Sequence, residues 1–151
     1  MIPSARVAAA IDILDDIARG DSPADAVISN WTRTHRFAGS KDKRAIRELV
    51  YRDLRQGARY RWLSSLAGAD PESPRARMIL ASEQEGAGTA MARFDGSQHG
   101  PATLTEAETS QVAKLHEVSK SKPPDWVTCD CPEDLFRLLA SQWPQTVVEE
   151  V

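Results

Sequence analysis

Side chains able to do covalent or metal chemistry are few in this sequence, and their spacing suits neither. Cys129 and Cys131 are its two cysteines, separated by one residue. Zinc sites use pairs with roughly two to four residues between them, and a bridge across one residue is strained. His35, His99 and His116 lie far apart, and none has a partner at metal-ligand spacing. Cys129 could serve as a nucleophile only beside an oriented base, and the sequence offers none, so it reads as a small buried hydrophobe. Gly86, Gly88, Gly96 and Gly100 follow no strand, which excludes a phosphate or dinucleotide loop. Acidic pairs such as Asp15-Asp16 and Glu149-Glu150 are sequence neighbours and diverge around a helix. No catalytic, cofactor-binding or metal-ligating residue is assigned; His35 reads as part of a basic patch, His99 and His116 as surface residues.

Binding chemistry is better supplied. Between Arg33 and Arg61 lie ten basic residues (Arg33, Arg36, Lys41, Lys43, Arg44, Arg47, Arg52, Arg55, Arg59, Arg61) against the three acids Asp42, Glu48 and Asp53, in a chain whose formal net charge is −3. Cations on one face gain affinity for a polyanion by releasing its counterions, and the arginine fork matches phosphate oxygens. Tyr51, Tyr60 and Trp62 lie among the arginines and could stack on unpaired bases. The same pattern is also that of a solvated amphipathic helix whose charges pair with the acidic remainder of the chain.

The elements that must position these groups are helical throughout. Val7, Ala10, Ile11, Leu14, Ile17 and Ala18 repeat at helical spacing, with Gly20 as a stop. Ser22-Pro23-Ala24-Asp25 reads as a helix start with Ser22 as cap, and Val27, Ile28 and Trp31 turn inward from it. After the break at Phe37-Ala38-Gly39, Ser40 is the expected cap of the basic helix. At about 100° per residue, Ile46, Leu49, Val50 and Leu54 share one side of that helix, and Arg44, Arg47, Arg52, Arg55 and Arg59 the other. Asp53 lies nearer the apolar side and calls for a neighbouring arginine. Beyond Gly57 a continuation or separate short helix carries Trp62, Leu63 and Leu66.

Ser73-Pro74 restarts a helix with Met78, Ile79 and Leu80 as core positions. The stretch from Gly86 to Pro101 reads as an exposed connection. Thr105-Glu106-Ala107-Glu108 is a capping box ahead of Val112 and Leu115. Pro132 opens a last helix with Leu135, Leu138, Leu139 and Trp143 on its face. The expectation is an all-α bundle of about six helices, with a domain over residues 1–122 and a connecting helix over 123–151.

At 151 residues the chain suits one domain with a real core. With 41% hydrophobic and 27% charged residues, it is of ordinary globular composition. Its longest apolar stretch, Val7-Ala8-Ala9-Ala10-Ile11, is far below the roughly 20 residues of a membrane span. Asp12, Asp15 and Asp16 interrupt any signal-peptide pattern. A reducing cytoplasm is the expected setting for the two thiols.

The segment from Phe37 to Arg55 (FAGSKDKRAIRELVYRDLR) resembles the NusB-like amino-terminal domain of bacterial ribosomal-RNA cytosine-5 methyltransferases of the Sun or Fmu group. The shared features are a lysine-aspartate helix start, an apolar stripe ending in Leu49-Val50-Tyr51, and Leu54-Arg55 one turn later. Arg6, Ala10 and Leu14 resemble that domain's first helix. Phe94-Asp95-Gly96, His99-Gly100-Pro101 and Leu104-Thr105 are similar to a connection in alphaproteobacterial members. Pro124-Asp125-Trp126 and Cys131-Pro132-Glu133 match their approach to the interdomain helix, although Glu133-Asp134-Leu135 stands where a tryptophan-leucine is expected.

The resemblance implies a NusB-like bundle that grips structured ribosomal RNA for an S-adenosylmethionine-dependent Rossmann-like domain expected beyond Val151. The cysteine nucleophile and cofactor loop of such an enzyme would belong there, so this segment is expected to be inactive alone. Arg33, Arg36, Lys41, Lys43, Arg44, Arg47, Arg52, Arg55 and Arg59 would contact phosphates. NusB-like bundles also dock onto proteins, so an interaction or transcription-antitermination module is the alternative.

Overall fold

A computed structural model of the chain describes residues 1–142. Among these the apolar periodicity resolves into nine helices: α1 (Pro3–Arg19), α2 (Ala24–Thr34), α3 (Ser40–Arg55), α4 (Gly57–Ala67), α5 (Pro74–Glu85), α6 (Thr89–Arg93), α7 (Glu106–Val118), α8 (Asp125–Thr128) and α9 (Glu133–Gln142). The described residues contain no strand, and the protein is all-α as expected. The count exceeds the expected six because α4 stands apart from α3, and because α6 and α8, with five and four residues, are too short to show a hydrophobic period. No described helix is long and apolar enough to cross a membrane.

Several helix ends follow the local chemistry of the sequence. Gly20 closes α1 with its N–H on the Asp16 carbonyl. Gly68, at φ 79°, closes α4 in the left-handed conformation that a Cβ would strain. The Ala69 N–H returns 2.8 Å to the Ser64 carbonyl there, completing the reverse turn. Ser73 caps α5 by accepting from the Ala76 N–H, and Thr105 with Glu108 forms the reciprocal capping box of α7. Two expected caps are corrected. Pro23 rather than Ser22 occupies the cap position of α2, and Gly39 precedes α3, with Ser40 already inside it. Asp42 in the first turn of α3 serves that end by accepting from the Gly39 backbone.

The core has two clusters. One gathers Val7, Ala10, Ile13 and Leu14 of α1, Ile28 of α2, Ile46 and Val50 of α3, Met78 and Ile79 of α5, and Ala90 and Phe94. The other gathers Tyr60, Leu63 and Ala67 of α4, Leu80 and Ala81 of α5, and Leu115 of α7. Among the described residues only α5 supplies fully buried residues to both, while α7, whose Leu115 belongs to the second, packs a partly buried Val112 against the first. Helix α5 packs against α1, α4, α6 and α7.

The stretch from Gly86 to Pro101 is not the exposed connection its glycines suggest. Within it α6 presents Ala90, and Phe94 follows, both essentially without solvent contact. The Glu83 carboxylate holds this segment by accepting from the N–H groups of Gly88 (2.9 Å) and Ala90 (3.2 Å). In contrast, α9 has no buried residue, and Leu135 and Leu138 are exposed rather than packed inward. Trp143 lies outside the described residues.

Candidate nucleic-acid interface

Helix α3 is fixed by what it buries. Ile46 and Val50 enter the core, and Asp53 is buried beside them. Asp53 meets not a neighbouring arginine but Arg77 of α5, which donates through Nε and Nη2 to its two carboxylate oxygens at 3.0 Å each. The third arm of Arg77 donates to the Pro71 carbonyl at 2.9 Å, so the buried guanidinium is satisfied on several sides. This two-pronged contact sets the rotation of α3. Leu54 is corrected by it: the residue is 41% exposed and lies on the outward side.

With that rotation Lys41, Arg44, Arg47 and Arg55 are exposed, and Lys43 and Arg52 are half-buried. Arg33 lies exposed in the last turn of α2, Arg36 exposed in the connection to α3, and Arg59 exposed on α4. The nine candidate cations then divide by partner. Arg52 pairs with Glu85 at 2.5 Å, and Glu85 also takes Arg93 at 2.5 Å. Burial pushes the Glu85 carboxyl up, but the Arg93 and Arg52 guanidinium groups outweigh it and hold the group below its usual range. Arg55 makes a long 3.6 Å contact with Glu48, and Arg33 donates to the Asn30 side chain at 2.8 Å. Arg36, Lys41, Lys43, Arg44, Arg47 and Arg59 make no salt bridge among the described residues.

That division is selective. Outside the basic segment, Arg6, Arg19, Arg75, Arg77, Arg93 and Arg137 each reach a carboxylate within 4 Å. Most acids outside that segment, among them Asp15, Asp21 and Glu117, make no salt bridge among the described residues, so the fold simply does not bring them to α3. The α3 face is left with positive charge uncompensated by the fold.

The aromatic candidates change. Tyr60 is buried in the second core cluster, and burial pushes its phenol up. Trp62 packs half-buried against the same cluster. Tyr51 donates its hydroxyl to Asp25 and braces α3 against α2. None of the three offers a free stacking face. Phe37 does, at 78% exposure. It stands edge-on to His35, with ring centroids 5.7 Å apart, and His35 in turn stacks on Trp31 at 4.2 Å with 9° between the planes. These rings border a groove of about 770 Å³ whose far wall is α1 and the residues around Gln98.

The chain matches no protein-family model, no curated protein and no solved structure.

The remaining reactive residues have structural settings. His116 sits 3.0 Å from the buried Glu83 carboxylate. Burial pushes Glu83 up, but the Gly88 and Ala90 N–H groups and His116 more than offset it and leave the group below its usual range. Cys131 is buried and Cys129 half-buried. No group of three potential metal ligands occurs among the described residues. Sequence reading missed two participants. Phe37 was taken for part of a chain break, and its exposure depends on tertiary packing. Glu85 carried no local signal that it would claim Arg52.

Proposed function

We propose that this chain binds structured RNA through the exposed cations of α3 and its flanks. The carrying observation is that, among the described residues, Arg36, Lys41, Lys43, Arg44, Arg47 and Arg59 make no salt bridge while the arginines outside the basic segment do. The arginines without a carboxylate all lie between Arg33 and Arg59, and Lys114, Lys120 and Lys122 are the unpaired cations elsewhere among the described residues. Arg44 and Arg47 are the central phosphate contacts. Arg52, tied to Glu85, has a positioning role, and Arg33 and Arg55 are secondary contacts.

The resemblance of residues 37–55 to the NusB-like domain of ribosomal-RNA cytosine-5 methyltransferases supports a more specific reading. The bundle would orient ribosomal RNA for an S-adenosylmethionine-dependent catalytic domain, with the chemistry performed there. Nothing in residues 1–142 is required to bind that cofactor.

The test is binding of a ribosomal-RNA hairpin at several salt concentrations. Each phosphate contact contributes about 0.7–0.9 to the slope of log affinity against log salt, so Arg44→Ala with Arg47→Ala should reduce the slope by about 1.5. A shallow slope that the double variant leaves unchanged sinks the reading.

A second reading, a protein-interaction module, is favoured by Leu135 and Leu138, which α9 leaves 46% and 59% exposed. A pull-down that recovers a protein partner after nuclease treatment, with no RNA affinity in the purified chain, would select it.

A further inference from the structure

We infer that the groove between α1, the Arg36–Phe37 turn and the loop around Gln98 receives an unpaired nucleobase of the bound RNA, stacked on Phe37 and hydrogen-bonded along its edge to Asp12. The inference rests on the RNA-binding reading and goes beyond it, since phosphate contacts alone do not distinguish paired from unpaired RNA.

A nucleobase presents two flat faces, a polar edge and, at a fixed distance, a phosphate. A receptor therefore needs a ring or flat apolar wall, hydrogen-bonding groups beside it and a cation at the lip. The groove has each of these. Phe37 supplies a ring that is 78% exposed, braced from one side by His35. Ala5, Ala8 and Ala9 form a low apolar wall on α1, and Asp12, one turn further along, also borders the groove. Its volume of about 770 Å³ falls within the roughly 300–1,000 Å³ typical of small-molecule sites.

Arg36 stands between the groove residues His35 and Phe37, is exposed and makes no salt bridge among the described residues. Its charge is thus available to the phosphate attached to a base held in the groove.

Charge favours a nucleotide over an apolar peptide. An apolar peptide side chain gains nothing from a carboxylate at the groove, whereas the exocyclic amino group of cytosine, adenine or guanine donates to one. Asp15 and Asp16 flank Asp12 on α1 and repel phosphate from that wall, which turns the backbone toward Arg36. Uracil presents a carbonyl where cytosine carries its amino group, and so is the disfavoured base.

The experiment compares the full chain on three hairpins of one length: fully paired, with one bulged cytidine, and with one bulged uridine. The bulged cytidine should bind tightest. Phe37→Ala should weaken bulged-cytidine binding by about 5- to 100-fold, the range found for loss of one base–aromatic stack. It should leave the fully paired hairpin and the salt slope unchanged. Asp12→Asn should narrow the gap between cytidine and uridine. Phe37 is outside the core, and an unchanged thermal melt of the variant verifies that the fold survives.

Equal affinity of the wild-type chain for bulged and paired hairpins, or a Phe37→Ala variant that binds the bulge normally, overturns the inference while leaving salt-dependent RNA binding intact. The groove would then belong to a protein or small-molecule partner. Failure of every hairpin to bind overturns the RNA-binding reading itself, and the inference with it.

Discussion

Arg77 reaches across 24 residues of sequence to grip Asp53 in the interior, and the two are worth more as a pair than either alone. Removing one partner strands a buried charge, so Asp53→Ala should cost about 3–5 kcal/mol in urea denaturation. Replacing both by apolar residues of similar volume should cost far less, because burying two ions already carries a large desolvation penalty. A single substitution as mild as the double one would show that the pair is not a structural constraint. The sequence disclosed half of this contact. Asp53 stands out as an acid on the apolar side of α3, but its partner arrives only when α5 packs.

Ionisable residues also set the acid limit of the fold. Arg75 beside Glu108 holds that carboxyl below its ordinary value of 4.5, and Arg6 holds Asp42 below 3.8. A depressed folded-state pKa means the unfolded chain takes up protons first as pH falls. Their stabilisation is therefore complete above about pH 4.5 and is lost as pH drops through the folded-state values. The thermal midpoint should be flat from neutral pH to about 5 and fall below 4.5, with Glu108→Gln removing part of the acid limb. Asp12 runs the other way. Burial, with Asp15 and Asp16 one turn away, pushes it up, so its contribution is present at low pH and lost as pH rises. Asp12→Asn should raise the thermal midpoint at neutral pH. A fold that tolerates such a repulsive residue at a groove has the pattern of a functional site, where stability is given up locally.

At the scale of elements, α3 was the most legible, because a long amphipathic helix writes its period over many residues. Even so, Leu54 fell on the wrong side. With Ile46, Val50 and Asp53 at the centre of the inward side, Leu54 falls at its margin and is left exposed. Helix α6 was illegible for the opposite reason: five residues between glycines carry no period, yet Ala90 and Phe94 complete the first core cluster. Phe94→Ala should cost about 3–5 kcal/mol, as expected of a fully buried aromatic and not of a loop residue. A loss under 1 kcal/mol in chemical denaturation would mean that α6 is only loosely docked. The candidate interface divides along the same line. The positions of its cations were readable from charge and spacing, whereas their freedom from carboxylates, and the exposure of Phe37, are products of how the helices meet.

Across the described residues the arginines sort into those paired with a carboxylate, among them every one outside the basic segment, and those left without one along α3 and its flanks. The two core clusters share buried residues from one element, α5. Eight residues of α5, from Pro74 to Glu83, are buried, while α9 buries none. In heavy water the two helices should therefore report opposite extremes. Amides of α9 can open without disturbing the core and will trade their hydrogens early. Those of Met78 to Ala81 are shielded from both sides, so no partial opening releases them without breaking both clusters. They should exchange last and together, at the rate set by unfolding of the entire bundle, making α5 the clock by which global opening can be timed.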